Sequence, residues 1–199
     1  MAEITQETKN RYQASIHSLL VGLILVIGTF LRLIHVLRAD FPLNDGGFFY
    51  SLIRDIQRTN KFVPYFASYN QLEIPFAYPP FAFHIVNGVN KVFNISVVEV
   101  IRVFPAVISS MTIPALYFLA LRLSQSQRQA LFTAAGYSFL PTAFEWQIVG
   151  GGLTRSLGWL FAILTLISCL LLFGRGGYRF IFLTAGAFAL VVLSHPGTA

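Results

Sequence analysis

Ser18-Leu-Leu-Val-Gly-Leu-Ile-Leu-Val-Ile-Gly-Thr-Phe-Leu31 is an uncharged apolar run that continues to Leu37 with only Arg32 and His35 inside it. About twenty residues at ~1.5 Å each give ~30 Å, the thickness of a bilayer's hydrocarbon core. The run therefore reads as a membrane-spanning helix. A cleavable signal peptide fits less well, because the stretch is long and no small-x-small site precedes Arg38. Arg32 and His35 lie near its far end, where an arginine stem can carry its charge out to the headgroups. A buried functional pair is the alternative.

Composition extends this reading to the whole chain. Of 199 residues, 55% are hydrophobic and 11% charged, and the mean hydropathy is +0.66. A soluble domain carries about 25% charged residues. The formal charge of +6 is then the mark of basic cytoplasmic loops rather than of nucleic-acid binding. The single cysteine, Cys169, excludes an intrachain disulfide and a cysteine metal cluster. The expected fold is all-α: a polytopic membrane helical bundle of about five spans, with two interfacial helices in its first outer loop.

In chain order, residues 1–15 read as a mobile cytoplasmic tail and 16–199 as the membrane module. Residues 38–96 form one outer loop. Within it, 47–58 places Phe48, Phe49, Leu52, Ile53 and Ile56 on one helical face, with Ser51, Arg54, Asp55 and Arg58 on the other. After Tyr78-Pro79-Pro80, His84, Asn87, Lys91 and Asn94 make a wet stripe opposite Phe81, Ile85, Val89 and Val92. Prolines suit the first turn of such a helix, and the helix suits a membrane surface. Between the two pieces, 59–76 reads as an aromatic loop folded against the membrane. Further spans are expected at 103–121, 129–144, 156–174 and 180–194. The loops at 122–128 and 175–179 each hold two arginines and no acid. The positive-inside rule makes their side the cytoplasm and the long loop extracytoplasmic. A last run that is short and lacks a polar tail suggests a piece of a longer protein.

Asn44-Asp45-Gly46-Gly47 stands where the first span meets water. Its glycines allow a sharp turn or a close ligand approach. Asp45 is either a plain N-cap in good turn chemistry or a functional carboxylate.

The layout, with Asn44-Asp45-Gly46-Gly47-Phe48-Phe49-Tyr50, Tyr78-Pro79-Pro80-Phe81-Ala82-Phe83 and Val100-Ile-Arg102-Val-Phe-Pro105, resembles the amino-terminal part of the GT-C superfamily of membrane glycosyltransferases. The resemblance covers roughly residues 16–195. It implies transfer of a sugar from a polyprenyl-phosphate donor, on the extracytoplasmic side, by an integral membrane protein. It makes Asp45 the general base, or a holder of a divalent metal. Gly46 stands where the family often has a second acid, which leaves metal dependence open. The residues Gly150-Gly-Gly-Leu-Thr-Arg155 depart from the acids of the oligosaccharyltransferase branch.

The chemistry asks for a base and a countercharge. A carboxylate in reach of an acceptor hydroxyl is worth ~10²–10⁴-fold, and a single base with direct displacement implies inversion. The leaving lipid phosphate needs positive charge. Arg155, in the first turn of the fourth span behind three glycines, could supply it, with open amides at that helix start, or could simply snorkel. His84 could line a site or be solvated. Lys91 on the same stripe suits anionic headgroups. Glu145 could be a second acid or an interfacial one, and His195-Pro196 could line the carrier's cavity. A transporter is the rival from another class, although the spans lack mid-depth charges. A non-catalytic membrane subunit is the third reading.

Overall fold

The computed structural model of the chain describes residues 2–149, 152–195 and 197. Helix α1 runs Ala2–Arg38. The expected mobile tail is instead helical from Ala2. No glycine or proline lies between Ala2 and Val21, and once the apolar span has nucleated a helix each added residue extends it cheaply.

Helix α2 (Gly46–Thr59) and helix α3 (Phe81–Phe93) follow, then α4 (Val97–Ser124), α5 (Gln127–Phe139), α6 (Glu145–Ile148), α7 (Gly152–Arg175) and α8 (Tyr178–Ser194). Three helices are long and apolar enough to cross a membrane: Arg11–Arg38, Val97–Ser124 and Gly152–Arg175. Among the described residues there are thus three candidate spans where about five were expected. The stretch 129–144 is broken because Pro141 pushes Leu140 into extended backbone, ψ 109°. Helix α5, with 13 residues, is then ~20 Å long. Helix α8 is apolar but has only 17 residues.

Helix α4 is the hub, packed against α1, α2, α3, α5 and α7. It lies antiparallel to α1: His17 meets the Tyr117 hydroxyl at 2.7 Å, and Arg32 meets Ser109 at 3.1 Å. Val36 of α1 and Ala106 of α4 pack with Phe144 and Ile148. The link from α5 to α7 therefore sits at the same end as the end of α1 and the start of α4. Arg122, Arg128, Arg175 and Arg179 gather at the other end. Ser96 caps α4 by accepting from the Glu99 amide at 3.2 Å.

Both amphipathic helices form, and the apolar face of α2 meets protein. On α3 the buried side is Ala82, Phe83 and Val86, while of the expected face Ile85 and Val89 are half-buried and Val92 is exposed. Phe49, Leu52, Ile53 and Ile56 are buried with Ala82, Phe83 and Val86 of α3, Val97, Val100 and Ile101 of α4, and Leu153 and Leu157 of α7. The pair closes one end of the bundle. Between them, β1 (Phe66–Ala67) and β2 (Ile74–Pro75) form a short antiparallel pair, with Phe66 opposite Pro75. Asp55, expected on the polar face, is only 6% exposed. It accepts from the Ser68 amide and hydroxyl, both at 2.7 Å, and so pins this loop to α2.

Candidate functional site

Asp45 is the N-cap residue of α2, by position rather than by side chain. Its carbonyl accepts from the Phe49 amide at 3.1 Å, its carboxylate makes no capping bond, and the residue is exposed. The turn is fixed by its neighbours. Asn44 takes a left-handed φ of 60°, which asparagine tolerates. Gly46 is buried, and a Cβ there would strike the Pro42 ring. A second carboxylate at that position is therefore sterically barred. Beside the turn, Phe48 stands edge-on to Tyr69 at 5.3 Å and to Tyr78 at 5.9 Å. Tyr78 also meets Phe49 at 5.2 Å. The Tyr78-Pro79-Pro80 element thus docks α3 onto the start of α2. Arg102, on α4, donates to the Ala39 carbonyl and pairs with Glu99 at 2.7 Å. It ties the chain leaving α1 to the start of α4.

Arg155 lies in the first turn of α7 at the same end of the bundle. It donates to the Trp146 carbonyl at 2.9 Å, and its guanidinium stands 5.7 Å from the Trp146 ring. No carboxylate among the described residues pairs with it. It lines a cleft of about 490 Å³ whose other walls include Leu116, Leu119, Tyr137, Trp159 and Leu166. A second cleft of about 560 Å³ shares Leu116 and Leu119 and continues past Leu123 to Phe132. Leu116 and Leu119 of α4 thus border both clefts, and Arg155 stands in the wall of the first.

The helix start behind Arg155 is closed. Gly152 is buried, a Cβ there would collide with the Gln147 backbone, and its amide donates to the Val149 carbonyl at 2.6 Å. Leu153 and Thr154 are fully buried. The amides expected to attract phosphate are thus packed against protein, and Gly150 and Gly151 lie outside the described residues. Glu145, the first residue of α6, is exposed and makes no ion pair with Arg155. His195 ends α8. Burial, and then the nearby Arg155 charge, holds its imidazole below the ordinary value. Pro196 lies outside the described residues.

His84 belongs elsewhere. Its ring stacks on Phe62 at 4.4 Å, and Nε2 donates to the Phe62 carbonyl at 2.9 Å. It faces Ile56, Gln57 and Asn60, the carboxyl end of α2. Asp45 is at the amino end of that 14-residue helix, about 20 Å away along its axis. The structure gathers Arg155, Trp146 and His195, and leaves Asp45 and His84 apart from them and from each other. Among the described residues, no three His, Cys, Asp or Glu side chains come together as metal ligands.

Sequence reasoning placed Arg32 at the headgroups; it is fully buried. Nε donates to Ser109 Oγ at 3.1 Å, Nη1 to the Gly28 carbonyl at 2.9 Å, and the fork leans over the Phe144 ring at 4.1 Å. The signal was in the sequence: Gly28 stands one turn before Arg32, and Ser109 and Ser138 lie on apolar helices. No family model matches this chain, and neither a curated protein nor a solved structure is significantly similar to it.

Proposed function

We propose that the chain is the donor-binding part of a membrane glycosyltransferase that takes its sugar from a polyprenyl-phosphate carrier. The observation that carries this reading is Arg155, a cation with no carboxylate partner among the described residues, beside an apolar groove. A polyprenyl tail is long and purely apolar, and its head is an anion. Arg155 to Leu166 spans three turns of α7, about 16 Å, and the second cleft extends the same wall. The phosphate would lie at Arg155, where a planar fork suits its oxygens, and the tail along Leu116, Leu119 and Trp159.

Transfer then needs a base. The acceptor hydroxyl gives its proton to the base as its oxygen bonds to the anomeric carbon. The bond from that carbon to the phosphate oxygen breaks, and the carrier phosphate leaves with the electron pair. In this reading Asp45 is the base, inversion follows, and the basic end of the bundle faces the cytoplasm. Asp45 enters through the sequence motif, and an acceptor would have to cover its exposed carboxylate.

A second reading is a carrier-binding subunit without transfer. The exposed Asp45 and the steric bar at Gly46 favour it. The test is binding of a long-chain polyprenyl phosphate to the purified protein, together with turnover of its glycosylated form. Arg155→Gln should weaken binding roughly tenfold to a hundredfold. Asp45→Asn should abolish turnover and leave binding alone. Unchanged binding in Arg155→Gln removes the reading. Binding without turnover in the native chain leaves only the subunit.

A further inference from the structure

A polar cleft of about 310 Å³ lies between the carboxyl end of α2 and the wet stripe of α3. Gln57, Asn60, Lys61, His84, Asn87 and Lys91 line it, with Ile56 and Phe62. Two lysines thus line one hollow with three amides, no carboxylate lines it, and the Lys61 ammonium stands 4.6 Å from the Tyr65 ring. The amides are held in place: Gln57 donates to Asn87 at 3.0 Å and to Asn90 at 3.1 Å, while Arg54 donates to Gln57 at 2.7 Å. The His84 Nε2 proton is committed to the Phe62 carbonyl.

Phe62 in its lining, and apolar residues close in the chain to Lys61 and Lys91, are uncovered and supply an apolar rim. Phe62 is 72% exposed and Val92 74%, with Tyr65 and Phe93 similarly bare. Lys91 stands only six residues before Val97, where a candidate span begins. That span has 28 residues, about 42 Å, against a core of ~30 Å, so its first turn reaches headgroup level. Exposed aromatic and aliphatic side chains around basic residues at that depth are the chemistry of the bilayer interface.

We infer that the α2–α3 cleft is a binding site for the headgroup of an anionic phospholipid. The phosphate lies between Lys61 and Lys91, Asn60 and Asn87 take the polar headgroup, and Phe62, Val92 and Phe93 enter the acyl boundary. The site is separate from the Arg155 groove and needs only that the chain sits in a membrane. A soluble phosphate would use the same cations but none of the rim.

The experiment is native mass spectrometry of the full chain released from mixed phosphatidylglycerol and phosphatidylcholine micelles. The native protein should retain phosphatidylglycerol in about tenfold preference, since each cation near an anionic lipid contributes appreciably. Lys61→Gln with Lys91→Gln should lose that preference, Lys61→Arg with Lys91→Arg should keep it, and Arg155→Gln should leave it unchanged. Circular dichroism confirms that each variant is folded, and the arginine pair keeps the test open should the glutamine pair fail. Equal retention of the two lipids by the native chain overturns the proposal, as does an unchanged preference in the glutamine pair. Loss of preference in Arg155→Gln would credit the groove instead, and displacement by glycerol 1-phosphate at matched concentration would assign the cleft to a soluble anion. Either result also overturns it.

Discussion

Arg32 shows how one buried charge organises its neighbours. It is inaccessible to solvent, yet it is held by a hydroxyl, backbone carbonyls and two aromatic faces rather than by an acid. Removing it takes this donor from the Ser109 hydroxyl and from the Tyr137 and Ser138 carbonyls in the last turn of α5. Arg32→Met should cost about 3 kcal/mol, read as a lowered unfolding midpoint in detergent. Arg32→Lys keeps the charge but not the fork, and should recover only part. His195 makes a pH-dependent case. Its value lies below the ordinary 6.5 because of burial and then Arg155, so the folded state favours the neutral ring. That contribution is fully present above about 6.5 and is lost as pH falls through the lower folded value. In an NMR titration, Arg155→Gln should move the His195 midpoint upward; no movement would show that Arg155's charge does not act on it.

Among the elements, α6 and the start of α7 are joined by close backbone approach. Gly152 has no room for a Cβ, because the Gln147 backbone occupies the space. Backbone cannot swing aside as a side chain can, so Gly152→Ala should destabilise by about 1–3 kcal/mol and shift Arg155 away from Trp146. The paired readout is thermal unfolding and polyprenyl-phosphate binding, both reduced. Gly136→Ala is the control, since open space surrounds that position within α5. Helices α2 and α3 make the complementary point. Their amphipathic periods were plain in the sequence, but an apolar face does not say whether it meets lipid or protein. Here α4 and α7 supply enough apolar surface to cover that of α2 and the buried side of α3.

At the scale of the molecule, both basic pairs fall at one end of the bundle, and the segment 39–96 with Asp45 falls at the other. With Cys169 replaced by serine, single cysteines at Gln125 and Gly176 should label from one side of an oriented membrane. A cysteine at Asn70 should label only from the opposite side. Labelling of Gln125 and Gly176 from different sides would refute this arrangement. The same large-scale view sets two hollows beside each other on α4, at Leu116 and Leu119, which no local reading could reveal.

Periodicity and hydropathy sufficed for α2 and α3, for the apolar stretches of α1, α4 and α7, and for the wet stripe of α3, but not for the helix over 2–15 or for α6. These depend on the alternation of side chains along a single segment, which any stretch of sequence carries in full. Pro141 could have been read the same way, as the stop that shortens α5. The fate of each polar group could not. Asp55 and Arg32 look like surface charges in a local window, and they are buried because Ser68, Ser109 and the Gly28 carbonyl reach them. Asp45 and His84 both fall between α1 and α4, but the length of α2 holds them apart. Burial and proximity are properties of pairs of elements, and only packing in three dimensions chose which pairs meet.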